Sequence, residues 1–288
     1  MIQAAALRVV RHRSPRAFLQ SAMPLLARNH AGNSGFIAWV RELDAAAAAQ
    51  ALLMTVQGAH GVEGLALQRH PEFVVLGDSS ARAADVVARL LADQGAKLTG
   101  VFGAVQACEA FAFAWRERTR HVHALRFHLR AYALGALHAV HPVAGAARRA
   151  RAEDMDLCCA WLGAFMDEAR VPDDRSRMRA NTQERIAKGG VWLWANGVPR
   201  ALVGVLRTAP DTARIVSVYT PPAERGRGYA RSLVAHAARM LRDDGCREVF
   251  LTADLANPAS NGLYSSLGFE PAGDQYHFDL MPPPRGAP

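Results

Sequence analysis

Apolar residues recur through 153–169 at Leu157, Trp161, Leu162 and Phe165, the spacing of a helix that buries one face. A second, more polar helical stretch follows at 173–188 and stops at Gly189 and Gly190. The period then changes. Val-Trp-Leu-Trp at 191–194 reads as a strand, Asn196-Gly197 as a hairpin turn, and 201–206 as the returning strand. Another strand is predicted at 215–219, ahead of a loop rich in proline and glycine at 221–228. Helical spacing returns with Tyr229, Leu233, Ala237, Met240 and Leu241, and Gly245 suits the C-terminal cap of that helix. Residues 249–253 are nearly all apolar, as in a strand buried on both faces. A short helix is predicted at 258–267, between Asn257 and Gly268, and a last strand at 275–280.

The first half of the chain repeats part of this order. Residues 73–76 predict a strand, 81–94 a helix capped by Gly95, 98–102 a strand and 105–115 a helix. Strand, helix, glycine, strand and helix therefore occur twice. The length of 288 residues agrees, since one domain averages about 150. The break is placed where Pro142 and Gly145 interrupt the pattern, giving domains of 1–142 and 143–288. A strand crossing that region and joining two sheets is also compatible. The alternative for the first half is an unrelated α/β domain.

Composition narrows the class. Half of the residues are hydrophobic and 21% are charged, which suits an ordinary soluble protein with cores of normal size. No run reaches the roughly 18 apolar residues of a membrane span. The formal charge of +8 is almost all arginine, because Lys97 and Lys188 are the only lysines. Those arginines are dispersed and accompany abundant alanine (Ala45 to Ala49 is unbroken), so they read as composition bias rather than a nucleic-acid footprint. Neither nucleic acid nor membrane is an expected partner. Cys108, Cys158, Cys159 and Cys246 form no CxxC pair and have no metal-ligand spacing with histidine. They read as reduced thiols of a cytoplasmic protein, with no metal. The first 30 residues hold several arginines and no acid, faintly like a transit peptide; a short strand followed by a helix accounts for them better.

Two segments carry candidate chemistry. Arg225-Gly226-Arg227-Gly228-Tyr229-Ala230 lies between a predicted strand and a helix. Two glycines allow backbone N–H groups to turn toward an anion, the helix start adds the positive end of its dipole, and Arg225 and Arg227 add charge. A diphosphate suits such a loop, although a glycine-bearing turn that merely starts a helix looks the same. The absence of Gly-Lys-Ser/Thr excludes a triphosphatase loop, and the third glycine of a dinucleotide fingerprint is missing. The second segment is Asn257-Pro-Ala-Ser-Asn-Gly-Leu-Tyr264. Asn257 before Pro258 is a good helix N-cap, while Ser260 and Tyr264 share one helical face. Tyr264 is either a core aromatic or a phenol placed to deliver a proton.

The ordered set Val218-Tyr219-Thr220-Pro-Pro222, Arg225-x-x-Gly228-x-Ala230, Asn257 and Tyr264-x-x-Leu-Gly-Phe269 closely resembles the GNAT superfamily of N-acetyltransferases, over roughly 146–280. The loop fits that family's Arg/Gln-x-x-Gly-x-Gly/Ala signature. The resemblance implies an α/β (α+β) fold: a mixed, mostly antiparallel central sheet flanked by helices, here in two tandem copies. It implies acetyl-CoA as cosubstrate, held by a strand that splays from its neighbour. Val218 and Thr220 would offer backbone groups to the pantetheine arm, with Tyr219 between them. The amides of Gly226, Arg227, Gly228, Tyr229 and Ala230, after Arg225, would hold the pyrophosphate. Asn257 would bind the arm from the other side, and Tyr264 would act as general acid. The reaction implied is direct attack of a primary amine on the thioester. Glu224 and Asp254 are candidate bases by position alone, and a water chain would also serve. The alternative function is a non-catalytic acetyl-CoA sensor. The first half departs from the signature: Gly77-Asp78-Ser79-Ser80-Ala81 lacks the second glycine and the arginine, and Asp78 would repel phosphate. It reads as a degenerate copy without coenzyme A. The chain would then be a monomer, as a pseudo-dimer of its halves, or a homodimer.

Overall fold

A computed structural model describes residues 6–170 and 177–283. In chain order its elements are β1 (Arg8–His12), α1 (Pro15–Leu26), α2 (His30–Arg41), α3 (Ala45–Gln50), β2 (Leu52–Gly58), β3 (Gly61–His70), β4 (Phe73–Leu76), α4 (Ala81–Asp93), β5 (Gly100–Ala104), α5 (Val105–Thr119) and β6 (Val122–Leu134). The second half continues with β7 (Ala146–Arg149), α6 (Met155–Ala169), α7 (Met178–Ala187), β8 (Val191–Asn196), β9 (Val198–Ala209), β10 (Thr212–Tyr219), α8 (Tyr229–Asp243), β11 (Glu248–Asp254), α9 (Pro258–Ser266) and β12 (Phe269–Met281). The start of the helix expected from 173 lies outside the described residues. β10 begins three residues before its expected start and β12 six before, because their first residues carry no run of apolar side chains.

The chain divides into two compact units. The first takes residues up to 131 together with 253–257 and residues from 271 onward. β1, β2, β3 and β4 pair antiparallel in sequence, and β4 and β5 pair parallel. β5 then pairs antiparallel with residues 275–279 of β12, in the register Gln275↔Ala104 to Asp279↔Gly100. The last strand of the chain therefore completes the sheet of the unit that contains the first residues, whereas the linear division at 142/143 assigns it to the second half.

Side chains alternate across this sheet, as the pleat requires. Leu53, Leu65, Leu67, Val75 and Phe102 face α1 and α2, where Phe18, Leu26, Phe36 and Ile37 cover them. Met54, Val56, Ala66, Val74 and Val101 face α4 and α5, joined by Phe278 and Leu280 from β12. Helix starts are fixed locally. The Ser14, Asp44 and Ser80 side chains accept from the N–H groups of Ala17, Ala47 and Ala83.

The second unit comprises 132–252 and 258–270. β7, β8, β9 and β10 pair antiparallel in sequence, and β10 pairs parallel with β11, the same order of pairings as in the first unit. The expected hairpin turn is present, with Gly197 at φ 71°. Cys158, Leu162, Val191, Leu193 and Leu202 form a core cluster against α6. Entry into α6 is set by Asp154, which accepts two 2.7 Å hydrogen bonds from Arg148 and one of 2.8 Å from the Arg151 N–H. These bonds, led by that from Arg148, hold the Asp154 carboxyl below its ordinary range. The four cysteines are free thiols.

Candidate functional site

The site begins where two parallel strands part. The β10–β11 ladder covers Thr212↔Glu248 to Arg214↔Phe250, and β10 then continues alone to Tyr219. On its other side the pairing with β9 slips between Val216 and Tyr219, so that Ser217 and Val218 face one residue of β9. Ser217 takes φ 50° there, a left-handed conformation that a non-glycine residue adopts at a cost. The bulge turns the end of β10 away from its parallel neighbour. Val218, Tyr219 and Thr220 thus stand at the open end of the splayed strand.

The loop after Thr220 has its own geometry. Gly226 and Gly228 take φ 76° and 81°, conformations that disfavour any side chain. A Cβ at Gly226 would meet nothing within 4 Å, so the space beside it is open. Gly228 occupies the N-cap of α8 and brings no capping side chain. Its carbonyl accepts the first helical bond, from the Ser232 N–H at 3.0 Å. Among the described residues, the backbone N–H groups of Gly226, Gly228, Tyr229, Ala230 and Arg231 have no protein acceptor, while residues 225–226 form a turn closed by the Arg227 N–H. These donors converge on a helix N-terminus, where the dipole adds its positive end. The Thr220 hydroxyl is likewise buried without a partner. A diphosphate fits this donor set: it is anionic, it accepts several bonds at once, and open space adjoins Gly226.

The charged residues of the loop are committed within the protein. The Nη2 of Arg225 donates to both carboxylate oxygens of Glu168 at 2.8 and 2.6 Å, and its Nε donates to the Thr220 carbonyl at 2.9 Å. Its guanidinium lies 5.9 Å from the Tyr219 ring centroid. Arg227 donates to Glu224 at 3.2 Å, and Glu224 also pairs with Arg200. Glu224, a base candidate by position, holds the root of the loop in this way. Asp254 accepts from the Ala256 N–H at 2.9 Å.

Tyr264 lies on α9 at 7% exposure. Its ring centroid is 6.2 Å from that of Tyr132 and 6.1 Å from that of Phe269. Burial pushes its phenol above the ordinary tyrosine range, which keeps the O–H protonated. Tyr132 in turn donates to Asn261 Oδ1 at 2.7 Å, bracing the same helix. The nominated residues Val218 to Ala230 and Tyr264 belong to the second unit, while Asn257 belongs to the segment 253–257 of the first. The Asn257 N–H closes a turn on the Asp254 carbonyl at 3.0 Å.

Sequence reasoning missed Glu168, Tyr132 and Val143. Val143 Cγ2 would meet a Cβ at Gly228 at 3.1 Å. Glu168 left a faint signal, two helical turns beyond Trp161 on the same face of α6.

The corresponding loop of the first unit is closed. Several of its amides are taken: Gly77 by the Leu65 carbonyl, Asp78 by Asn33 Oδ1, Ser80 by the Glu63 carbonyl and Ala83 by the Ser80 hydroxyl. A cavity of about 40 Å³ remains at the ends of β4 and β5, lined by Asn33, Phe36, Leu76, Asp78 and Phe102 among others. Ligand pockets usually measure at least about 300 Å³.

Residues 158–269 match the acetyltransferase (GNAT) family. N-alpha-acetyltransferase MAK3 of Arabidopsis thaliana is 43% identical over 56 residues, which are 19% of this chain and 30% of that protein. The chain thus spans less than a third of that curated relative. Among solved structures, a GCN5-related N-acetyltransferase from Sphaerobacter thermophilus superposes with a TM-score of 0.60 at 16% identity, covering 98% of this chain and 97% of the other. A tandem GNAT protein from the clavulanic acid biosynthesis pathway gives 0.52 at 14% identity, covering 98% and 100%. No group of histidines, cysteines or carboxylates suited to a metal ion occurs among the described residues, and no described helix is long and apolar enough to cross a membrane. The chain therefore carries a domain of the GNAT acetyltransferase family over residues 158–269, within a mixed, mostly antiparallel fold shared with a tandem GNAT protein.

Proposed function

We propose that the protein is an acetyl-CoA-dependent N-acetyltransferase acting on a primary amine, with one coenzyme site per chain, in the domain 143–288. The observation that carries this reading is the set of unpartnered amides of Gly226 and Gly228 to Arg231 at the N-terminus of α8. They would hold the pyrophosphate, and the splayed end of β10 would receive the pantetheine arm through the backbone of Val218 and Thr220. Asn257 would contribute from the second side. Acetyl-CoA would supply the activated acyl group. The neutral amine attacks the thioester carbon, backbone N–H at the bulge of β10 steadies the oxyanion, and the C–S bond breaks. Tyr264 gives its phenolic proton to the departing sulfur, and the proton shed by the new amide nitrogen passes through water to restore the phenol.

Free-thiol release from acetyl-CoA across a panel of amines tests the reading. Release that depends on one class of amine is the expected result. Coenzyme A binding without turnover on any amine would leave the sensor reading, and absence of binding would overturn both.

A further inference from the structure

Glu168 sits in the last turn of α6 and ends on the loop that carries the free amides. Its two carboxylate oxygens are 2.8 and 2.6 Å from Arg225 Nη2. Arg225 immediately precedes Gly226, the first of the unpartnered donors. The contact is not a single tether, because Trp161 of the same helix lies 6.2 Å from the Tyr219 ring, over which the Arg225 guanidinium also rests. Both members of the ion pair are 48% exposed. Such a pair contributes little to folding and breaks readily. Its position gives it a different consequence. A full negative charge stands at the guanidinium that would otherwise face the ligand.

We infer that Glu168 is an internal anion that competes with the diphosphate of the cofactor for Arg225, and so holds the affinity of the loop for phosphates down. The inference rests on the coenzyme A reading of this loop. The Coulomb sign is the same whether the diphosphate displaces Glu168 or shares Arg225 with it, because the carboxylate repels the ligand and offsets the arginine in both cases. The repulsion weakens every diphosphate alike and leaves their affinity ratio unchanged. Its consequence is occupancy: coenzyme A, which adds the contacts of its pantetheine arm along β10, stays bound at concentrations where a bare diphosphate does not.

Calorimetry on the full chain decides the matter, with coenzyme A, pantetheine and inorganic pyrophosphate as separate ligands. Glu168→Gln is expected to tighten coenzyme A about two- to fivefold, the span of an exposed ion pair. Pyrophosphate should tighten as well, and pantetheine, which has no phosphate, should not change. In an Arg225→Gln background the same substitution should tighten coenzyme A less, because only the direct repulsion of the carboxylate is then removed. Glu168→Ala provides the check that the Gln amide does not itself bind phosphate. Unchanged or weaker coenzyme A affinity in a variant with wild-type melting temperature overturns the inference, as does equal tightening of pantetheine. Failure of the unsubstituted protein to bind coenzyme A overturns the functional reading and this inference with it.

Discussion

Tyr264 is the residue on which the proposed chemistry turns. Its phenol is raised by burial, which keeps it protonated and makes it a weaker acid, so the proton donation proposed for it is a matter for direct test. Tyr264→Phe removes one hydroxyl and almost no volume. Cofactor binding should persist, and kcat and kcat/KM should fall together by roughly 10²- to 10⁴-fold in steady-state assays. Wild-type turnover in that variant would make Tyr264 a packing residue. His277 is a titrating group of another kind. It lies among Phe73, Phe102 and Phe127, with Asp279 3.6 Å away and Arg126 nearby. Burial, the largest influence, lowers it from the usual 6.5 to about 4 despite Asp279. A lowered folded value means that the neutral ring is the form the fold favours. Its contribution is present above about pH 6.5 and is lost as pH falls from there toward 4. Denaturant melts of the wild type and His277→Gln should therefore differ in pH slope inside that window and run parallel above it.

At the scale of elements, two glycines separate ligand binding from folding. Gly228 has φ 81° and stands at the head of α8, where an added carboxylate would face the proposed diphosphate. Gly228→Asp should abolish the rise in melting temperature that coenzyme A gives by mass action, while the unliganded fold survives. A shift equal to the wild type would remove the loop from the site. Gly268, in the Leu-Gly-Phe run after Tyr264, has φ 90°, and a Cβ there would lie 1.9 Å from the Ala136 carbonyl oxygen. Gly245 has a similar φ of 84° but open space around it. Gly268→Ala should thus cost well over the roughly 1–3 kcal/mol of backbone strain alone, and Gly245→Ala no more than that. Chemical denaturation of the two variants compares them directly.

At the scale of the whole molecule, the sheet of the first unit depends on the end of the chain. Phe278 and Leu280 from β12 belong to the core that α4 and α5 cover, and Phe278 is 6% exposed. Phe278→Ala should destabilise that unit by about 3–5 kcal/mol, the usual cost of emptying a buried phenylalanine site. Residues 1–142 expressed alone should fail to give a cooperative melt, because β5 would have an unpaired edge and its core a missing wall. A sharp melt for that fragment would show that the first half closes without β12. Calorimetry should also give one coenzyme A per chain, since the amides of Gly77, Asp78 and Ser80 are satisfied internally. A stoichiometry of two would contradict that closure.

Local pattern was enough to place the helices α4, α5, α6, α8 and α9, the strands β4, β8 and β11, and the loop that holds the free amides. Each of these depends on periodicity, a cap or a glycine within a few residues of sequence. The bulge at Ser217 was not legible, because serine has no special claim on a left-handed conformation; the slip against β9 imposes it. Glu168 was not legible as a partner of Arg225, because a helix face does not announce which loop 57 residues away it will meet. The strands between 52 and 70 and the long β6 were also missed, since Leu52 to Val56 and Leu65 to Leu67 run apolar without alternating and the basic residues of β6 break its pattern. The placement of β12 beside β5 joins residues about 170 apart, and no local signal specifies that pairing. The sequence by itself determined the local elements and the chemistry of the loop, which are properties of short segments. Strand order, the partner of each edge and the charge balance around Arg225 were decided only by tertiary structure, where hydrogen-bonding edges and buried faces from distant segments satisfy one another.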